Sequence, residues 1–530
     1  MALPSPHSFR EFYVPFDSES SARALGQDQG GYARVPRTQP PETLVWDITF
    51  RCNLKCTHCY NAEKYGYGQP DYGRGFTNLS LAECRDVVNW AREAGLIHIH
   101  LLGGEPLSRP DLPEIIRYAT QEGLAVTLTS NGTLVTEKLA NRLIDSGLEQ
   151  ISISLDGGTA ETNDSIRGSG TFARIIHGLT TLQSVRTARG IDPIEVGISF
   201  TLTRPNLMEL PEALEIGREK NVDVIVFQDL FDLGVSDKRP DLLYSNDEEI
   251  DGLENLASYI LDRHLEGASP VLQIDISYPV YRYLERKFRA GLVTPKRLPV
   301  CPAGTNLIYM DSGGFIYPCV VADKGHKGIY FRDSGARLAS SRNVRSRPAV
   351  TEGFATFFDA RENLSFPRAP CPTCDYRPEC LPCPMLVTFE QARGFSICKA
   401  VFRRERAFEW PILHGKVQLS SGVVVSDGPA GMQLELLRGG KPPFQVRGSG
   451  RMIVEGIRAA GGTVAVTDLV DTVSRRYPSV KRRRIVRDVI DFVWHMHLVG
   501  VASLALMTPP NPEEFMLEDR SESYPLIQLH

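Results

Sequence analysis

Hydrophobic residues recur with two different spacings between residues 43 and 230, and the two spacings alternate along the chain. Short apolar runs have the length of β-strands, and the stretches between them have the apolar spacing of amphipathic helices. The strand candidates are LVWDITF, IHIHLLGG, AVTLTSNG, QISISLDG, EVGISFTLT and VDVIVFQDL. The clearest helix candidates are LAECRDVVNWAREAG (residues 81–95), PEIIRYATQEG and EKLANRLIDSG, and the last two end at Gly123 and Gly147. This alternation predicts a parallel sheet covered by helices.

Six such strand-and-helix units are too few to close an eightfold barrel. We therefore expect an α/β protein whose main domain is a partial (β/α)6 barrel. In barrels of this kind the functional residues lie at the carboxyl ends of the strands. The unusual motifs between residues 43 and 230 follow the strand candidates directly.

The pattern changes twice after this region. Residues 236–300 are mostly helical in pattern, and residues 301–400 contain few periodic stretches but many cysteines. Further on, VQLSSGVVVSD suggests a small β-hairpin, and three helical patterns follow it, GRMIVEGIRAAGG, VTDLVDTVSRRYP and VKRRRIVRDVIDFVWHMHLVGV. The expected domains are a loosely ordered N-terminal segment (1–42), the barrel (43–235), a helical connector (236–300), a cysteine-rich domain (301–408), a winged-helix domain (409–508) and a tail (509–530).

Composition limits the classes of protein that fit this pattern. The chain has 530 residues, of which 42% are hydrophobic, so it can bury several cores, and its net charge of −5 does not argue for bulk affinity for nucleic acid. No run of 18 apolar residues appears, and the N-terminus lacks the basic and apolar segments of a signal peptide. We expect a cytoplasmic protein with no membrane partner.

The 11 cysteines fall into two blocks, which favours metal ligation over scattered core thiols. The first block, Cys52, Cys56 and Cys59, has the spacing C-x3-C-x2-C directly after the first strand candidate. Three thiolates leave one iron of a [4Fe–4S] cluster without a protein ligand, so a small molecule can bind there. The alternative is a structural zinc site, with His58 or a distant residue as the fourth ligand.

This cysteine spacing resembles that of the radical S-adenosylmethionine (AdoMet) enzymes. The resemblance extends through GGEP, TSNG, SISLDG and IRGSGTF, which follow one another along the chain and mostly end strand candidates. It implies a catalytic [4Fe–4S] cluster on the three cysteines and AdoMet contacts from Gly103, Gly104, Glu105, Pro106, Ser130, Asn131, Ser154, Asp156 and Arg167.

The resemblance also implies the reaction. The cluster donates one electron to the sulfonium of AdoMet, and the resulting 5′-deoxyadenosyl radical abstracts hydrogen from a substrate. No side chain is needed as the radical source, so we expect no conventional pair of nucleophile and base near Glu105. A flavodoxin or a ferredoxin is the expected electron donor.

The second block resembles the SPASM extension of these enzymes, which carries two auxiliary [4Fe–4S] clusters. The implied ligands of one cluster are Cys371, Cys374, Cys380 and Cys398, and those of the other are Cys301, Cys319 and Cys383. Two residues separate Cys380 from Cys383, where the family usually has three. The alternative is zinc in a C-x2-C…C-x2-C site, which leaves some of the seven cysteines unused. We interpret Cys84, on a helix candidate, as a buried core thiol.

The segment 412–505 resembles the winged-helix peptide-binding domain that is related to the pyrroloquinoline-quinone peptide chaperone. In those relatives the domain binds the leader of a precursor peptide by strand addition. The basic stretch KRRRIVR (481–487) would suit phosphate contact in a DNA-binding winged helix, or it forms a solvated helix face.

These expectations combine into one functional hypothesis. The chain is identified as a radical AdoMet enzyme that installs an oxidative modification, such as a cross-link, in a ribosomally made precursor peptide. The alternative substrates are a small metabolite, a porphyrin intermediate or a folded protein of the sulfatase type. A redox-sensing DNA-binding protein is the alternative from a different class, although we do not expect nucleic acid as a partner.

Overall fold

The fold is given by a computed structural model. It describes residues 42–59, 61–65, 77–190, 194–228, 230, 239–263, 270–275, 278–288, 307–317, 320, 396–428, 431–436, 444–446, 449–480, 482–498 and 500–508. The chain forms two compact units. One contains residues 1–281 and 290–396, and the other contains residues 282–289 and 397–530.

A single nine-stranded sheet forms the centre of the first unit. Its strands are β1 (Thr43–Asp47), β2 (His98–Leu102), β3 (Ala125–Ser130), β4 (Gln150–Ser154), β5 (Glu195–Thr201), β6 (Val224–Gln228), β7 (Val271–Asp275), β8 (Leu307–Met310) and β9 (Ile316–Tyr317). The spatial order is β7-β6-β5-β4-β3-β2-β1-β8-β9, and every neighbouring pair is parallel except β8 with β9. The six predicted strands and the parallel α/β fold are confirmed, and three further strands extend the sheet at both edges.

Helices connect the parallel strands. They are α1 (Ala62–Tyr65), α2 (Leu81–Glu93), α3 (Leu112–Gln121), α4 (Glu137–Asp145), α5 (Ala160–Arg167), α6 (Thr171–Ala188), α7 (Leu210–Glu219) and α8 (Asn246–Asp262). Local sequence explains where several begin: Ser80 and Ser245 form capping boxes with Glu83 and Glu248, and the Thr136 hydroxyl caps α4. The region predicted as a helical connector contains α8 and also β7.

The two faces of the sheet differ in polarity. One face is apolar and packs against helices: a Cβ added to Gly217 of α7 would lie 2.5 Å from Cδ1 of Ile225. The opposite face is polar in consecutive strands, since His100 is in register with Thr127, and Thr127 with Gln150. His100 and His98 both bond the Thr127 hydroxyl, at 2.6 and 2.8 Å. Polar side chains therefore line one face of the sheet in these strands.

The described residues of the second unit form two small antiparallel sheets and five helices. Its elements are α9 (Tyr278–Phe288, of which residues 282–288 belong to this unit), α10 (Ser396–Leu413), β10 (Lys416–Leu419), β11 (Val423–Gly428), β12 (Gly431–Leu436), β13 (Phe444–Val446), α11 (Ser449–Ala459), β14 (Val464–Ala465), α12 (Val466–Arg476), α13 (Arg482–Leu498) and β15 (Ala502–Ala505). The sheet orders are β14-β10-β15 and β11-β12-β13. The three predicted C-terminal helices are thus present.

The predicted hairpin over VQLSSGVVVSD is wrong. Its two strands, β10 and β11, do not pair with each other, because β10 pairs with β14 and β15 while β11 pairs with β12. An alternating pattern identifies strands but does not specify their partners, and both hydrogen-bonding edges of β10 are occupied by strands from later in the chain. A buried cluster joins both sheets to the helices, and it includes Val417, Leu434, Val454 and Ile490.

In the described part of the chain, we find no helix with the length and apolar character needed to cross a bilayer.

Candidate active site

The cysteine loop, residues 48–61, leaves the carboxyl end of β1. Cys52, Cys56 and Cys59 form no disulfide with any described residue, and their exposure is intermediate. Backbone bonds shape the loop: the amide of Cys59 donates to the carbonyl of Cys56 at 3.3 Å, and the amide of Leu54 donates to Sγ of Cys52 at 3.4 Å. Burial raises the pKa of Cys52 and of Cys56 to about 12, so both thiols keep their protons at neutral pH unless a cation is bound.

This donor set fits a [4Fe–4S] cluster. Among the described residues, no three His, Cys, Asp or Glu side chains are gathered as they would be around one metal ion. A cubane needs no such convergence, because each thiolate binds a different iron. Cluster binding would release the two thiol protons and compensate the buried thiolate charges.

The GGEP turn packs against the start of the cysteine loop. The amides of Gly104 and Glu105 donate to the carbonyls of Thr49 and Arg51, at 2.7 and 2.6 Å. The approach is so close that a Cβ on Gly104 would lie 2.1 Å from the Arg51 carbonyl oxygen. Only glycine fits there, and the turn therefore fixes the backbone that leads into Cys52.

The carboxylate of Glu105 connects the end of β2 to the end of β3. It accepts hydrogen bonds from the Leu107 amide, the Ser130 hydroxyl and the Asn131 amide, at 2.9, 2.7 and 2.7 Å. The side chain is 1% exposed, and burial raises the pKa of this carboxyl despite those donors. Glu105 thus holds two strand ends together.

The TSNG turn binds the cysteine loop through side-chain amides. Asn131 donates from Nδ2 to Oδ1 of Asn53, at 2.9 Å, and Nδ2 of Asn53 donates to the Thr133 hydroxyl, also at 2.9 Å. Asn53 directly follows Cys52, so the end of β3 holds the loop at its first cysteine. No sequence signal pointed to Asn53, since an asparagine in a loop is ordinary.

Asp156, after β4, holds the loop at its second and third cysteines. Its Oδ2 lies 3.1 Å from Nε2 of His58, between Cys56 and Cys59, and 2.5 Å from Nε of Arg167. Burial would raise the pKa of Asp156, but the positive charge of Arg167 and the contact with His58 outweigh burial and hold that pKa well below its usual range. The Asp156 carboxylate is therefore ionised at neutral pH.

Helix α5 ends against the same loop. The Thr57 amide and hydroxyl donate to the Ile166 carbonyl, at 2.8 and 3.1 Å, which satisfies a carbonyl at the helix C-terminus. Nη1 of Arg167 lies 4.0 Å from Sγ of Cys56. The Asp156 charge raises the pKa of this buried guanidinium, so Arg167 places a fixed positive charge beside the thiols.

Three further residues of the site, Asp47, Tyr65 and Tyr309, were not found from the sequence. Asp47 at the end of β1 is fully buried, and it accepts hydrogen bonds from the hydroxyls of Tyr65 and Tyr309. A charged residue inside the apolar run LVWDITF was a usable signal for Asp47. No signal pointed to Tyr309, because β8 lies in a region without clear periodicity.

The structure brings most of the predicted AdoMet-contact residues to one end of the sheet, and their contacts with AdoMet remain predictions. Ser154 lies on the polar face beside Ser199 of β5. Cys84 is fully buried in α2, as predicted for a core thiol. Cys398 lies in α10. The remaining second-block cysteines lie outside the described residues: Cys301, Cys319, Cys371, Cys374, Cys380 and Cys383.

The fold and the loop define an α/β enzyme with a thiol-bearing loop at the carboxyl end of its first parallel strand. Residues 46–215 match the Radical SAM superfamily. The chain is 31% identical over 312 residues to Fe-coproporphyrin III synthase of Methanosarcina barkeri, and the match covers 58% of this chain and 71% of that protein. The chain therefore belongs to the radical SAM superfamily, whose members bind a [4Fe–4S] cluster and AdoMet.

Two further proteins are similar. Mycofactocin maturase MftC of Mycobacterium tuberculosis is 36% identical over 172 residues, which cover 32% of this chain and 40% of the maturase. The crystal structure of Streptococcus suis SuiB bound to precursor peptide SuiA is 18% identical, with a TM-score of 0.47 over 64% of this chain and 71% of that one. The chain thus spans 40% of the length of the mycofactocin maturase.

Proposed function

We propose that this radical SAM enzyme removes a hydrogen atom from a ribosomally made precursor peptide and completes an oxidative modification, such as a cross-link. The observation that carries the chemistry is the cysteine loop. Turns that follow neighbouring strands hold this loop at its start, beside Cys52, and between Cys56 and Cys59. The similarity to a maturase supports the peptide as substrate.

Each residue of the site has a distinct task in this proposal. Cys52, Cys56 and Cys59 would hold the catalytic [4Fe–4S] cluster, leaving one iron for AdoMet. When bound, the cluster supplies the electron that cleaves AdoMet to the 5′-deoxyadenosyl radical. Arg167 offers its positive charge to the carboxylate of AdoMet, and Asp156 keeps the guanidinium in place.

The second cysteine block would hold two auxiliary [4Fe–4S] clusters in a SPASM domain. In this proposal the auxiliary clusters would accept the electron that the substrate radical loses when it is oxidised. A flavodoxin or a ferredoxin would supply the electron that starts each reaction.

The second unit would bind the peptide. Strand β15 pairs with β10 on one side, and no strand in the described residues pairs with its other edge. An open edge can accept an extended peptide as an added strand. Leu506 and Met507 follow β15 and are 53% and 54% exposed, so they offer an apolar contact beside this edge.

The test uses the protein, reconstituted anaerobically, with dithionite, AdoMet and synthetic candidate precursor peptides taken from short reading frames beside its gene. We expect 5′-deoxyadenosine, together with a peptide that has lost two hydrogens, measured by mass spectrometry. A Cys52/Cys56/Cys59→Ala triple variant should lose both products and keep about eight of about twelve irons. Absence of 5′-deoxyadenosine with the wild type, combined with salt-dependent binding to duplex DNA, would favour the redox sensor instead.

Peptide binding has its own test. Leu506→Asp with Met507→Asp should weaken binding of a fluorescent peptide, measured by anisotropy, and leave AdoMet cleavage unchanged. Equal affinity of the wild type and this double variant would argue against the β15 edge as the peptide site.

A porphyrin substrate is the second candidate function. The 312-residue match to Fe-coproporphyrin III synthase is longer than the 172-residue match to the maturase and supports this candidate. Titration with iron coproporphyrin III, followed by its Soret absorption, distinguishes the two candidates. Saturable binding of the porphyrin with no change in the peptide would favour the tetrapyrrole reaction.

A further inference from the structure

One carboxylate oxygen joins three separate parts of the chain behind the cysteine loop. Oδ2 of Asp47 accepts hydrogen bonds from the Tyr65 hydroxyl at 2.8 Å, the Tyr309 hydroxyl at 2.5 Å and Nδ2 of Asn61 at 3.4 Å. Asn61 and Tyr65 follow Cys59 closely, whereas Tyr309 belongs to β8. The carboxylate thus binds the exit of the cysteine loop and a strand 262 residues away in sequence.

We propose that Asp47 is a positioning residue through which the β8–β9 hairpin sets the geometry of the catalytic cysteine loop. This inference rests on the proposal that Cys52, Cys56 and Cys59 hold the cluster. In sequence, the hairpin lies between Cys301 and Cys319, so it belongs to the second cysteine block. Through Asp47, the position of this hairpin would then influence the geometry of the first cysteine block.

The backbone around Asp47 makes this link rigid. β1 and β8 pair in parallel, with Val45 beside Tyr309, which places the tyrosine two residues before Asp47 in register on the neighbouring strand. Tyr309 also packs against Tyr317 of β9, with ring centroids 5.9 Å apart. A shift of the hairpin would therefore move the Tyr309 hydroxyl and, with it, the carboxylate that holds Tyr65.

The carboxylate depends on a single oxygen for these contacts. Asp47 is fully buried, and its Oδ1 has no hydrogen-bond partner among the described residues. The hydrogen bonds to Oδ2 therefore determine the orientation of the carboxylate. The loss of any one of these bonds leaves its orientation less constrained. Removing one phenolic oxygen should loosen the loop without creating a large cavity.

The test compares Tyr309→Phe, Tyr65→Phe and Asp47→Asn with Tyr118→Phe in the reconstituted full-length protein. Tyr118 is a suitable control, because its hydroxyl donates to Asn89 at 2.9 Å, between two outer helices. The measurements are iron content, melting temperature, the dissociation constant of AdoMet and the EPR spectrum of the reduced cluster with and without AdoMet.

We expect Tyr309→Phe and Asp47→Asn to keep the iron content of the wild type and to raise the dissociation constant of AdoMet about tenfold, which is the effect of one lost bond to a charged group. Their EPR spectra with AdoMet should show a mixture of forms, whereas Tyr118→Phe should show the single form of the wild type. The effects of Tyr65→Phe and Tyr309→Phe on the dissociation constant of AdoMet should not be additive in the double variant, because the two hydroxyls share one acceptor.

Two results would overturn the inference. One is that Tyr309→Phe and Tyr118→Phe have the same AdoMet affinity and the same EPR spectrum. The other is strict additivity of the two tyrosine variants. If the wild-type protein itself binds no cluster, the proposed function fails instead, and the iron analysis reports that separately.

Discussion

Nε2 of His58 lies 3.1 Å from Oδ2 of Asp156, so a carboxylate from the end of β4 reaches the residue between two cysteines of the loop. The same oxygen contacts Arg167. Asp156 and Arg167 thus form a buried ion pair that contacts the cysteine loop. Loop geometry and the charge beside the thiols consequently depend on one side chain.

Asp156→Asn should destabilise the protein strongly. It leaves the Arg167 guanidinium, whose side chain is 8% exposed, without its carboxylate, and the loss of one member of a buried pair typically costs about 3–5 kcal/mol. We expect a lower melting temperature and a lower iron content after reconstitution. The matched control is Asp223→Asn, which breaks the ion pair with Arg186 in a more exposed place and should have a smaller effect.

The cost of Asp156→Asn should depend on pH. The folded protein holds the pKa of Asp156 below its ordinary value of about 3.9. The stabilisation that the ionised carboxylate provides is therefore complete above about pH 3.9 and is lost as the pH falls further. In cluster-free protein, the difference in melting temperature between wild type and variant should be large at pH 7 and should shrink at pH 3.5. A difference that stays constant with pH would contradict an ionised Asp156.

Gly104→Ala should displace the cysteine loop. The new Cβ would lie 2.1 Å from the Arg51 carbonyl oxygen and 2.8 Å from that of Phe50, and neither backbone atom can move without moving the loop. Iron content should fall by about four per chain, and AdoMet cleavage should be lost. Gly462→Ala is the control, since a Cβ there meets nothing within 4 Å. Full cluster loading in Gly104→Ala would show that the close approach is dispensable.

The buried thiols should react slowly in cluster-free protein. With pKa values of about 12, Cys52 and Cys56 hold roughly a thousandfold less thiolate at pH 8 than an ordinary cysteine, and the thiolate is the nucleophile. Iodoacetamide labelling, followed peptide by peptide in a mass spectrometer, should therefore be much faster for both residues in urea than in the folded protein. Equal rates in the two conditions would mean that the loop does not bury its thiols.

Arg286→Met should selectively destabilise the second unit. The Arg286 guanidinium is buried and contacts Glu405, Glu409 and Asp491, at 2.7, 2.5 and 2.9 Å. Without it, the three carboxylates lose their shared cation, although Glu405 and Glu409 keep their longer contacts with Arg487, at 3.6 and 3.8 Å. Because removal of one partner leaves buried charge uncompensated, we expect the free energy of unfolding to fall by about 3–5 kcal/mol.

The control for this prediction lies in the same unit. Arg451→Met breaks an exposed ion pair with Glu455 and should change the unfolding temperature little. Differential scanning calorimetry compares the two variants. A shift for Arg286→Met no larger than that for Arg451→Met would contradict a structural role for the buried group.

The sequence revealed the parts of the fold whose signal is local. Strands β1 to β6 and the helices between them have amphipathic or apolar patterns, and the three cysteines of the loop are close in sequence. The pairing of β8 with β1 has no such signal, because Leu307–Met310 is short and its partner strand lies far away in the chain. The contact between Asp47 and Tyr309 depends on that pairing, so it was equally invisible.

The same limit explains the wrong hairpin. Residues 417–427 contain two apolar stretches with a short polar break, which is the usual pattern of a hairpin. The pattern contains no information about strands that arrive later, and β14 and β15 take both edges of β10. Local patterns thus identified β10 and β11 as strands but did not identify their partners, which come later in the chain.

The position of β8 has a consequence for synthesis on the ribosome. Asp47 and Tyr309 are 262 residues apart, so at 5–20 residues per second Tyr309 is made about 13 to 52 s after Asp47. During that time the outer edge of β1 lacks its neighbour, and the nascent cysteine loop lacks the hydroxyl that fixes Asp47. Loading of a cluster into this loop in its final shape would therefore be a late event, which follows the emergence of β8.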